Sequence, residues 1–141
     1  MGTLQIAPLD DAFVTKFCFS RFSFYYRELK KQLLKRPNVW GVGLWPDEET
    51  ESIAKKVAER ISESACTELK AFIPQDKLST IELLDYEWGA VTHALPSINY
   101  EFDCSLDVDE LTAQNVETFG DLVEVVKSRR GEGQKMPEGK R

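Results

Sequence analysis

Apolar residues recur every fourth position through Ile53, Val57, Ile61, Ala65 and Leu69, with charged residues between them. This spacing lines one face of an α-helix. The run follows Pro46-Asp47-Glu48-Glu49. Proline in a first turn forfeits an N–H that has no partner there, and the carboxylates meet the positive end of the helix dipole. The pattern predicts a helix from about residue 47 to Lys70, closed by Phe72-Ile73-Pro74. A second stripe, Leu84, Trp88, Val91, Leu95, Ile98 and Phe102, steps by four, three, four, three and four. It predicts a helix from about Asp85 with Trp88 buried. A bend or restart is expected near Pro96, because an interior proline removes a backbone hydrogen bond at a cost of about 3 kcal/mol. Residues 75–83 between the two stripes read as a loop.

Shorter signals complete the outline. Asp107 to Thr112 reads as a short helix with acids in its first turn. Thr118 caps a last helix with Phe119, Leu122, Val123 and Val126 on one face. From Ala12 to Arg36 the chain carries Phe13, Phe17, Phe24, Leu29, Leu33 and Leu34 among basic residues, ended by Pro37-Asn38. Spacings of four at both ends suggest a helix, while the alternation from Phe17 to Phe24 is a strand signal. The first eleven residues lack any period and are expected to form a loosely held arm. The tail from Ser128, with Gly131, Gly133, Pro137 and Gly139 among charges, is expected to be disordered. Gly41 and Gly43 make a lone GxG with no third glycine and no phosphate-loop lysine, so no nucleotide site is expected there.

At 141 residues and 42% apolar composition, the chain suits one domain with tails. The net charge of −6 conceals a segregation: +4 over residues 1–46, −14 over 47–126 and +4 over 127–141. An acidic body repels phosphate backbones and attracts basic protein surfaces, so the partner expected is a protein and not nucleic acid. Cys18, Cys66 and Cys104 show no CxxC or Cys/His ligand pattern, which speaks against a disulfide framework or a zinc site. Without an apolar leader segment or a bilayer-length apolar run, a reducing, cytoplasmic setting is the expectation.

The order of elements then becomes informative: a long helix, a linker opening on Phe72-Ile73-Pro74-Gln75-Asp76-Lys77-Leu78, a second helix ending in Tyr100-Glu101-Phe102-Asp103, a short third helix, and Val116-Glu117-Thr118-Phe119-Gly120-Asp121-Leu122-Val123. Over residues 47–127 this resembles the acyl and peptidyl carrier proteins, small four-helix bundles. The family carries 4'-phosphopantetheine on the serine of an Asp-Ser-Leu motif at the start of the second helix. The matching stretch here is Asp85-Tyr86-Glu87-Trp88, with no serine. Counting forward from Leu78 puts Tyr86 at the attachment position, and counting back from Phe102 puts Trp88 there. Tyr86 is preferred, since Trp88 lies on the apolar stripe. Ser79, Thr80 and Ser97 are the nearby hydroxyls that an unusual carrier would have to use. The resemblance also makes the acids around the second helix, Asp85, Glu87, Glu101, Asp103 and Asp107, a partner-binding face.

His93 is the one histidine and flanks the expected buried positions Val91 and Leu95, where a structural role suffices. Cys66 and Cys104 are expected in or near the core, without the cationic setting that activates a thiol. No metal site is expected, since Asp107-Val108-Asp109-Glu110 lacks the glycine and terminal glutamate of a calcium loop. The aromatic and basic residues 12–36 either pack on the bundle or lie on a membrane surface; packing is preferred, because Trp40, Trp45 and the phenylalanines would otherwise form a large exposed patch. The sequence therefore predicts an all-α, carrier-like four-helix bundle at 47–127, an N-terminal arm and helical extension at 1–46 and a basic tail at 128–141. The expected function is non-catalytic binding of a basic protein through the acidic helix face, without a cofactor. An atypical acyl carrier and a membrane protein anchored by 12–36 are the alternatives.

Overall fold

A computed structural model describes residues 6–16, 22–68, 70–85 and 88–132. The fold is mostly helical, with no strand among the described residues. Its helices are α1 (Ala12–Lys16), α2 (Phe22–Lys35), α3 (Glu48–Ser64), α4 (Leu78–Ile81), a 3-10 turn (Glu82–Asp85), α5 (Ala90–Phe102), α6 (Val108–Ala113) and α7 (Phe119–Arg129). Helix α3 packs against α5 and α7, and α2 packs against the 3-10 turn.

Helix α3 presents the predicted stripe, with Ile53, Val57 and Ile61 buried. It begins one step later than the proline signal suggested, because Asp47 is its N-cap and accepts the Thr50 N–H at 2.8 Å. Those Thr50 hydrogen bonds, aided by Lys127, hold the Asp47 carboxyl below its ordinary value. It also ends earlier than Lys70. Thr67 N–H bonds to Ser62 O and Cys66 N–H to Glu63 O, while Cys66 adopts a left-handed φ of 55°. This is the Schellman stop, usually made by glycine. Cys66 is consequently exposed at a helix end, not in the core as expected.

The region between α3 and α5 differs most from the expected loop. Helix α4 and the 3-10 turn bury Leu78, Ile81 and Leu84. Helix α5 starts only at Ala90, and Trp88 is 65% exposed, so the apolar stripe does not include it. The helix runs through Pro96 without a break. Pro96 and Thr92, whose carbonyl loses its donor, are both exposed, so solvent can satisfy that carbonyl. At the end of the chain described, Thr118 and Asp121 form a capping box for α7, with Phe119, Leu122, Val123 and Val126 buried as predicted. Residues 128–132 correct the expectation of disorder: α7 continues to Arg129, Gly131 N–H bonds to Phe102 O at 2.9 Å, and Arg130 pairs with Glu49.

The N-terminal residues join the same core. Leu9, Phe13, Tyr25, Leu29, Leu33, Val39 and Trp45 are buried. All but Val39 belong to one apolar cluster with the residues of α3, α5 and α7. The arm is therefore held from Leu9 onward, where a single leucine offers no period to read. Phe17 and Cys18, part of the ambiguous alternation, lie outside the described residues.

One carboxylate fastens these segments. Asp76, fully buried, accepts both guanidinium arms of Arg36 at 2.7 Å and the N–H groups of Leu9 and Ile73 at 2.9 Å. Arg36 also donates to Ala71 O and Ala7 O. The next residues zip against α7: Phe119 N–H bonds to Asp76 O, Leu78 N–H to Glu117 O and Gly120 N–H to Pro74 O. A Cβ on Gly120 would lie 3.1 Å from the Pro74 carbonyl, which explains a glycine inside a helix at this approach.

Candidate functional site

The start of α5 is built from the turn before it. Gly89, the N-cap, has φ 82° and offers no side-chain cap. The capping group is instead Glu82, from the 3-10 turn. Its Oε1 accepts the N–H of Val91 at 2.6 Å and of Thr92 at 3.1 Å, and its Oε2 accepts the Thr92 hydroxyl at 2.6 Å. A carboxylate there satisfies otherwise unpaired amides and sits at the positive end of the dipole. Gly89 permits the approach, since a Cβ would fall 2.7 Å from Glu82 Oε1. Gly89→Ala, which adds both that clash and an unfavourable positive φ, is expected to cost about 1–3 kcal/mol, read by urea denaturation. A change below about 0.5 kcal/mol, the size usual at unconstrained surface positions, would show that the turn is not locked.

Asp85 supports the same turn. Its Oδ1 accepts the Trp88 N–H at 3.3 Å, its carbonyl accepts the Gly89 N–H at 2.6 Å, and its Oδ2 lies 3.5 Å from His93 Nδ1. Tyr86 and Glu87 lie outside the described residues. Trp88, expected to be buried on the apolar stripe, is exposed and directly precedes Gly89 and Ala90, so burial does not set it apart from Tyr86 as the attachment-equivalent position. From Trp88 the exposed face continues through Thr92, His93, Pro96 and Ser97 to Tyr100, which is 92% exposed.

At the other end, Glu101 lies 3.9 Å from both Lys56 and Arg60. Asp103 ends α5 in the left-handed conformation, and Asp107 caps α6 by accepting the Glu110 N–H at 2.8 Å. The predicted acids thus divide by location. Asp85 stands at the N-terminal end of α5, Glu101 and Asp103 at its C-terminal end, and Asp107 at the next helix.

The remaining candidates separate clearly. Thr80 is buried and donates to Asp11, so its hydroxyl is not accessible, whereas Ser79 and Ser97 are exposed. Cys104 is buried, and desolvation pushes its thiol up, away from the reactive thiolate. Among the described residues no three His, Cys, Asp or Glu side chains are grouped to hold a metal ion. No described helix is long and apolar enough to cross a membrane.

The sequence did not signal Glu82, because the amides it caps lie nine and ten residues ahead of it. Tyr100 was visible as an off-stripe position beside Ile98 and Phe102. These features define a mostly helical protein in which the two most exposed aromatic side chains among the described residues, Trp88 and Tyr100, stand just before α5 and near its end. No family model, curated protein or solved structure matches the chain.

Proposed function

We propose that this chain is a non-catalytic, acyl-carrier-like interaction module, which binds a basic partner protein through the acids at the two ends of α5 and the start of α6, without a prosthetic arm. The observation that carries this reading is the closed start of α5. In the carrier arrangement this helix end presents a free hydroxyl and open amides to a phosphate. Here Trp88, Gly89 and Ala90 offer no hydroxyl, that of Thr92 donates to Glu82, and the Glu82 carboxylate takes the amides. The chain supplies its own anion at the place where an arm would put one.

Helix α5 also departs from local preference on its solvent side. It has no acid in its first turn, no base in its last, a proline inside, and Glu101 and Asp103 at the negative end of its dipole. Such departures collect where binding, rather than folding, decides the residue. The membrane reading is weaker, because Phe13, Tyr25, Leu29 and Leu33 from residues 12–36 are buried in the core.

Two measurements test the proposal. Incubation with coenzyme A and a broad-range phosphopantetheinyl transferase is expected to leave the intact mass unchanged. A gain of one phosphopantetheinyl group, mapped to Ser79 or Ser97, would replace this reading with the atypical carrier. Neutralising Glu87→Gln and Asp103→Asn is expected to weaken binding of a lysine-rich peptide by about two- to fivefold per charge, with strong salt dependence. Unchanged affinity would remove these acids from the proposal.

A further inference from the structure

Resting on that reading, we infer that Trp88 is an anchor for an arginine of the partner, with its indole face taking the guanidinium and the surrounding acids attracting its charge. Trp88 presents its indole to solvent. Trp88 directly precedes Gly89, where a Cβ would fall 2.7 Å from Glu82 Oε1, and Glu82 in turn accepts two amides and a hydroxyl of α5. The Trp88 backbone N–H donates to Asp85 Oδ1 at 3.3 Å. A large aromatic side chain, 65% exposed, has only two torsions to fix when it binds, and tryptophan is among the residues that most often dominate an interface.

Charge decides the kind of partner. Residues 78–104 contain no Lys or Arg and five acids, and the one histidine among them, His93, faces Asp85 Oδ2 at 3.5 Å. An exposed indole beside an acidic group attracts a cation over its face. Arginine fits better than lysine, because its planar group stacks on the ring while its fork of N–H donors reaches a carboxylate. Tyr100, further along the same exposed helix, provides a second aromatic contact for a partner segment laid along α5.

The test uses two sixteen-residue helical peptides, one with a single central arginine among lysines and one with lysine at that place. Binding to the full chain is followed by calorimetry and by the Trp88 indole N–H resonance. The arginine peptide is expected to shift that resonance and to bind about tenfold tighter than the lysine peptide. Trp88→Ala, an exposed position whose change should leave the fold intact, is expected to remove that preference, and Trp88→Phe to keep part of it. Equal affinity of the two peptides, or an arginine preference that survives Trp88→Ala, would overturn the anchor. If neutralising Glu87 and Asp103 weakens binding while Trp88→Ala does not, the anchor fails and the role of the acids stands. If neither change matters, or neither peptide binds, both fail.

Discussion

Asp76→Ala is expected to destabilise the protein by about 3–5 kcal/mol, a large part of the roughly 5–15 kcal/mol that holds a domain of this size together. The reason is the Arg36 guanidinium, whose side chain is only 5% exposed and which loses both its carboxylate bonds while remaining charged. Leu9 and Ile73 lose acceptors for their N–H groups in the same step. The measurement is the urea midpoint of the variant, with Arg36→Met and the double substitution completing a cycle. Arg36→Met should cost much less in the Asp76→Ala background than alone, because the stranded charge is then gone. A loss for Asp76→Ala below about 1 kcal/mol would put the pair in the class of weak surface ion pairs and refute its role as the fastener.

Phe119→Ala is expected to cost about 3–5 kcal/mol, the range for a large aromatic removed from a packed core. Phe119 is fully buried, with its ring centre 5.7 Å from that of Trp45 at a near-perpendicular angle and 5.6 Å from that of Phe72. It thereby joins three segments: the approach to α3, the segment after α3 and the first turn of α7. Phe119→Leu, which keeps most of the volume, should cost clearly less, and thermal unfolding of the two variants side by side gives the comparison. Equal losses would mean that the ring contacts add nothing to its bulk.

The sequence made the regular parts of this fold readable and left the irregular parts hidden, for identifiable reasons. The four-residue stripe of α3 and the Thr118–Asp121 cap of α7 are local signals; the stripe is buried at Ile53, Val57 and Ile61, and the cap stands at the residues that signal it. Helix ends were harder. Cys66, Asp103 and Asn115 all adopt left-handed backbone at the ends of α3, α5 and α6, and none is the glycine that would mark such a stop. Leu84, Trp88 and Val91 have helical spacing, yet a 3-10 turn and Gly89 interrupt them, so Leu84 and Val91 are buried while Trp88 is exposed. The candidate site was legible in its charges and not in its geometry. Asp85, Glu101 and Asp103 lie on or beside α5 as read, but the cap by Glu82 is a tertiary arrangement that no short sequence window contains.

The fastener at Asp76 bears on how the chain is made. Its oxygens gather bonds from Leu9, Arg36 and Ile73, and its own carbonyl receives the N–H of Phe119. During translation, the N-terminal contacts have no complete partner set until the residues of α7 have emerged from the ribosome. Chains whose domains can form early acquire structure from the N-terminal side as they are synthesised. Here the Leu9 N–H finds its acceptor only after 67 further residues have been made.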